Sequence, residues 1–322
     1  MDILPYQLLV IDDTTHALLL VDSPSGQIIA EMPYPPEYTP TELLLAPDQT
    51  KAYLPAIGKK GEGTLFIVNL AQRSLYRLPV KIPAPTQFTL SPNGTSAYLS
   101  DPSGVLYTFD LPTMSLKSWD HPAKGACVGL AADDNAVYSV WEQNEQGSLA
   151  VFTHQGQFIK EYPLTGIPTN ITLDGHGHIF IPFTTTHFTI EGVMCFNRDI
   201  QDDNTPIVIT AQRCIYPYST SPSAAYPSHV AISPEEPLAY VVNEENSSIT
   251  VIDSDTAAII RHIELDRSIS CLHILPGGHF GIATSHIFSD LSMIDLREGR
   301  LLSTTNTKRE LLGYLAILPL SS

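Results

Sequence analysis

A unit of about 40 residues recurs along this chain and limits its folding more than any other feature. The cleanest copy runs from Pro227 to Leu265, PSHVAISPEEPLAYVVNEENSSITVIDSDTAAIIRHIEL. Four runs rich in Val, Ile and Tyr (SHVAIS, LAYVVN, SITVID and IIRHIEL) are separated by Pro, Glu, Asn, Asp and Ser. Such runs, bounded by turn formers, predict short antiparallel strands. Four strands in one short repeat make one blade of a β-propeller.

Six further copies can be laid along the sequence, and the terminal ones decide the topology. The N-terminal stretch QLLVIDDTTHALLLVDSPSGQIIAEMPY matches only strands two to four of the unit, whereas the C-terminal GYLAILP matches only strand one. Together they complete one blade and leave no open sheet edge between the first and last repeats. The expectation is therefore an all-β, seven-bladed propeller forming one domain over residues 1–322, closed by one C-terminal strand added to three N-terminal strands. An Asx or Thr residue returns between third and fourth strands as Asp22, Asn69, Asp110, Thr153, Asn197, Asp253 and Asp295. Side chains of this type bond the backbone a few residues on and hold tight turns. The aromatic series Tyr53, Tyr98, Tyr138, Phe180 and Tyr240 in the second strands is expected to pack between blades. The segment from Asp199 to Tyr226 is longer than the other connections and is a candidate contact surface.

Charge narrows the partners. Seventeen basic and 34 acidic residues give a net charge of −17, which repels phosphate backbones and anionic lipid. Neither nucleic acid nor a membrane is expected as a partner. A small molecule or a partner protein is, acting on a monomer. No basic leader precedes the first strand pattern and no apolar run is long enough to span a bilayer, so a cytoplasmic location is expected. Cys127, Cys195, Cys214 and Cys271 show no C-x-x-C spacing, and reduced, isolated thiols fit that location.

In a propeller the inner strands begin at one face of a central channel, where ligands gather. One residue per blade falls at that position: Glu42, Gln87, Cys127, Asn170, His229, Cys271 and Tyr314. All seven can hydrogen-bond or ligate, so the ring could bind a small molecule, hold a divalent metal, or supply an acid and a base. A wet rim that merely tolerates polar side chains is the plainer alternative. Turns after the second strands add Asn243 and Glu244, His187, and His286. His262 and His273 lie within predicted strands, where a satisfied packing role is expected.

The stretch AYVVNEENSSITVIDSDTAAII resembles the repeat of YVTN-type propellers. Within that class, His229, Asn243 and Glu244 match a blade of the seven-bladed lactonase-like group, a resemblance that implies acid/base work by His229 and Glu244, to which the ring position adds Glu42 as a candidate. Ser228 stands where that group's substrate-binding arginine would be, and Asn170 where a histidine would be. An anionic lactone needs a cation to bind it and a base to open it, so the sequence favours a ligand-binding propeller. An enzyme of lactonase or lyase type, with or without a divalent metal, is the alternative.

Overall fold

The computed structural model describes residues 6–23, 25–120, 125–185, 190–197, 207–210, 225–285, 287, 290–306, 309 and 311–319. Every named element among them is a β-strand. They form seven antiparallel sheets, six with their strands in chain order and one in which the C-terminal strand pairs with the first N-terminal strand. This is the seven-bladed propeller that the repeat predicts. Blade six comprises Pro227–Ile232, Leu238–Asn243, Ser248–Asp253 and Ala258–Glu264, with the four strands where the sequence places them. In blade five the fourth strand, Ile207–Thr210, comes from the long 199–226 segment. The rest of that segment, apart from Ala225 and Tyr226, lies outside the described residues.

The chain divides into two compact units. One holds Met1–Ser139, Ala150–Glu161 and Asn306–Ser322; the other holds Val140–Leu149 and Tyr162–Thr305. In the first, blade one runs Ile28–Pro33, Ala17–Ser23, Tyr6–Asp12, Leu311–Pro319. The C-terminal strand is thus the innermost of the N-terminal blade, with Leu9 opposite Ala316 and Val10 opposite Leu315. Leu9 and Val10 are fully buried there. Covering the edge of Tyr6–Asp12 in this way satisfies its backbone groups.

Each unit has its own apolar layers between neighbouring blades. In the first unit, Leu9, Leu18, Leu54, Phe66 and Val68 pack blade one on blade two. In the second, Val242, Val251, Leu272, Ala283 and Ile294 pack blade six on blade seven. Tyr53, Tyr98, Tyr138, Phe180 and Tyr240 are all buried, between 0% and 6% exposed, which fits packing rather than stacking on a ligand. The turn prediction holds as well. Asn69 Oδ1 accepts from Gln72 N–H at 2.9 Å, Asp110 from Thr113 at 2.8 Å and Asp253 from Thr256 at 2.8 Å.

Two blades depart from the regular pattern for one physical reason. The inner strand of blade two is broken into Tyr38–Pro40 and Leu44–Leu45, and that of blade five into Ile167–Pro168 and Thr172–Leu173. Opposite each break the second strand carries a proline, Pro55 or Pro182, with no N–H to give the ladder. Thr41 and Thr169 donate their N–H to those proline carbonyls at 2.9 and 3.0 Å, and pairing then lapses. Glu42 and Asn170 sit in the two gaps.

Candidate functional site

The inner strand of each blade has one edge without a neighbour in its own sheet. In antiparallel pairing, residues alternate between turning both backbone groups toward the partner and turning both away. Phe88 and Leu272, each one residue after a ring position, turn theirs away, and side chains from the preceding blade meet them. Phe88 N–H donates to Glu42 Oε2 at 3.2 Å, and Leu272 C=O accepts from His229 Nε2 at 3.1 Å. Thr172 bonds Val230 C=O in the same manner at 3.0 Å, from blade five to blade six. Part of the polar ring is therefore stitching between blades, a role that neither the ligand reading nor the wet-rim reading included.

In the first unit, Glu42 is bonded and Cys127 is closed off. Burial raises the Glu42 carboxyl to about 8, against the opposing pull of the Phe88 N–H. At neutral pH it is mainly protonated, which suits an acid rather than a base. Cys127 is buried, its S–H reaches Gly129 C=O at 3.5 Å, and burial pushes the thiol to about 11. Such a thiol is inert. Gln87, partly buried, opens its strand opposite Ser100, and Tyr314 lies 39% exposed in the closing strand.

In the second unit the structure brings His229 and Cys271 together. They hold equivalent places in blades six and seven, paired with Val242 and Thr284 of their second strands. Cys271 Sγ lies 3.7 Å from His229 Nδ1 and 3.7 Å from His273 Nε2. The two imidazole centroids are 6.0 Å apart. All three residues are partly buried. Desolvation holds the His229 pKa below its ordinary value, opposed by the bond to Leu272 and by the charge of Glu244. A carbonyl cannot donate, so Nε2 carries the imidazole proton and Nδ1 presents its lone pair to the thiol. His273, expected in the sequence to be only a packing residue, is the third member of the cluster.

Other candidates stand apart from this cluster. Asn243 is fully buried, and its Nδ2 donates to Ser248 Oγ at 3.1 Å and Thr250 Oγ1 at 3.0 Å. It lies on the face of blade six shared by Val241, which packs on blade five, whereas His229 shares the face of Val242, which packs on blade seven. Among the described residues, Asn243 Oδ1 has no hydrogen-bond partner. Glu244 is tied through its backbone: its N–H donates to Tyr226 C=O at 3.2 Å, and its C=O accepts from Ser268 Oγ at 3.1 Å. Asn170 Oδ1 accepts from Ile171 N–H at 2.7 Å. His187 and His286 lie outside the described residues. Glu191, a candidate among the turns after the second strands, is 1% exposed; its carboxylate accepts from Ala225 and Tyr226 N–H at 2.8 and 3.0 Å and fixes the entry to blade six. Among the described residues, no three His, Cys, Asp or Glu side chains are grouped to hold a metal ion. Among the same residues, no helix is long and apolar enough to cross a membrane.

Comparison with known proteins reveals the fold alone. No protein-family model matches the chain, and no curated protein matches it. Solved structures do match. A functionally unknown protein from Desulfotomaculum acetoxidans aligns with a TM-score of 0.73 at 13% identity, covering 97% of this chain and 98% of that one. A protein from Lactobacillus plantarum aligns with a TM-score of 0.73 at 13% identity over 98% of this chain and 100% of that one. Hydrazine synthase of Kuenenia stuttgartiensis aligns with a TM-score of 0.67 at 12% identity, over 87% and 89%. At 12–13% identity these likenesses show the fold alone, and function has to be argued from the site.

Proposed function

We propose that this propeller binds a small molecule at the inner-strand starts of blades six and seven, where His229, Cys271 and His273 are the contact groups. The observation that carries this reading is the convergence of one thiol and two imidazoles, all partly buried, at the starts of two inner strands. Most other ring positions in the described residues are spent on stitching, on turn bonds or in the core. The YVTN-like repeat of blade six supports the same placement, since its lactonase-like match falls on His229. A partner protein is the lesser alternative, because the cluster is a compact polar spot rather than an apolar surface.

The test is a thermal-shift screen of the full chain against lactones, sugar acids, other small anions and divalent metals. A ligand at 100 times its dissociation constant raises stability by about 2.7 kcal/mol. A shift that disappears in His229→Ala supports the reading. A shift that survives both His229→Ala and Cys271→Ala places binding elsewhere and overturns it.

A further inference from the structure

We propose that Cys271 is a nucleophile that accepts an acyl group from a small ester, with His229 as its base. This rests on the binding position just described and adds chemistry to it. A nucleophile needs a base within reach, and the base needs a third group to fix its tautomer. Cys271 Sγ, His229 Nδ1 and the Leu272 carbonyl stand in that relation, at 3.7 Å and then 3.1 Å. Desolvation lowers the His229 pKa, so the ring is neutral near pH 7 and Nδ1 presents its lone pair toward the thiol.

A fourth group comes from the backbone. Leu272 turns its C=O away from its own sheet, so its N–H points the same way. At the equivalent residue of blade three the N–H does project there, where Phe88 donates to Glu42. The amide following a nucleophile is well placed to donate to the oxyanion that forms on an attacked carbonyl. The titratable groups facing the pair are His273, on the strand of Cys271, and Glu244, whose charge acts on His229.

In the first step the Cys271 proton passes to His229 Nδ1, the Sγ–acyl bond forms and the ester C–O bond breaks. The leaving alcohol takes the proton from His229. Water then gives a proton to the same nitrogen, attacks the thioester and releases the acid, and the thiol regains its proton. No oxidant or metal enters the balance. Disulfide exchange is the weaker reading: the sulfur's neighbours are imidazoles, and the other described cysteines, Cys127 and Cys195, are buried.

The experiment treats the full chain with p-nitrophenyl acetate near neutral pH. It follows release of nitrophenolate and maps the acetyl group by peptide mass. The expected result is a burst of about one equivalent per chain, with the acetyl group on Cys271. Cys271→Ala should abolish it. His229→Gln keeps an N–H for Leu272 but has no basic nitrogen, and should slow the burst about a hundredfold. The melting temperature of each variant reports folding separately. If His229→Gln does not fold, the site of acetylation in the unaltered chain decides. No acetyl group on Cys271, or an unchanged rate in folded His229→Gln, overturns the proposal. A thermal-shift ligand at His229 without acetylation likewise removes the chemistry and leaves the binding. Acetylation without any thermal-shift ligand keeps the chemistry and removes the binding reading.

Discussion

Arg309 Nη1 lies 3.2 Å from Oδ2 of Asp12, a carboxylate with no solvent exposure. The same guanidinium reaches Glu31 Oε1 at 3.1 Å. Asp12 sits at the first hairpin, where it also accepts from Thr14 N–H at 3.0 Å and Thr15 O–H at 2.5 Å. The pair therefore joins the approach to the closing strand to the blade that this strand completes.

Arg309→Ala leaves the Asp12 charge buried without its cation. Removing one partner of a buried pair typically costs about 3–5 kcal/mol, and the residual exposure of Arg309 places this case at the lower end. Urea unfolding should show a lower midpoint with an unchanged slope. A midpoint equal to that of the unaltered chain would mean that the two hydroxyl and amide bonds suffice for Asp12.

Glu42 gives a pH dependence whose sign follows from its raised pKa. The folded chain keeps this proton up to about pH 8, while the unfolded chain releases it near the ordinary glutamate value of 4.5. Between those values the folded state binds more protons, so stability falls as pH rises through the interval. Glu42→Gln removes that dependence. The difference in urea midpoint between about pH 5 and about pH 8 should therefore shrink in the variant. An equal difference in both proteins would count against a buried, protonated Glu42.

Gly156 has φ +82°, and a Cβ there would stand 2.5 Å from the indole ring of Trp119. Trp119 is 5% exposed and donates Nε1–H to Thr108 Oγ1 at 2.7 Å. Gly156→Ala must both strain the backbone and displace the ring, at a cost of about 1–3 kcal/mol. A falling melting temperature together with a shifted tryptophan emission maximum would report both effects. An unmoved emission maximum would show that the ring had not been displaced.

Leu9 is fully buried in the apolar layer that packs blade one on blade two. Leu9→Ala should destabilise the chain by about 2–5 kcal/mol through lost burial and the cavity left behind. The denaturant midpoint measures it, and a loss below about 1 kcal/mol would show that the neighbouring strands collapse into the space.

The blades were legible in the sequence because a period-two strand pattern between turn formers repeats, and every copy reinforces the others. The partnership of His229 and Cys271 was half legible. Alignment of repeats gave them equivalent positions in adjacent blades, but not the direction of either side chain. Asn243 illustrates the limit: it follows Val242, the partner of His229, and one step along a strand turns a side chain to the other face. Arg309 carried no signal at all, because its partners, Asp12 and Glu31, stand far away in sequence at the other end of the chain. The breaks at Glu42 and Asn170 could have been read from Pro55 and Pro182, had the missing N–H groups been counted across the ladder.

Closure by Leu311–Pro319 also bears on how the protein is made. Blade one joins strands from opposite ends of the chain, so the edge of Tyr6–Asp12 stays bare from the moment it leaves the ribosome until Leu311–Pro319 follows. Throughout synthesis that edge is available to any passing strand, including one from another nascent copy. A chaperone that shields extended segments would serve this strand for longest when translation is slow.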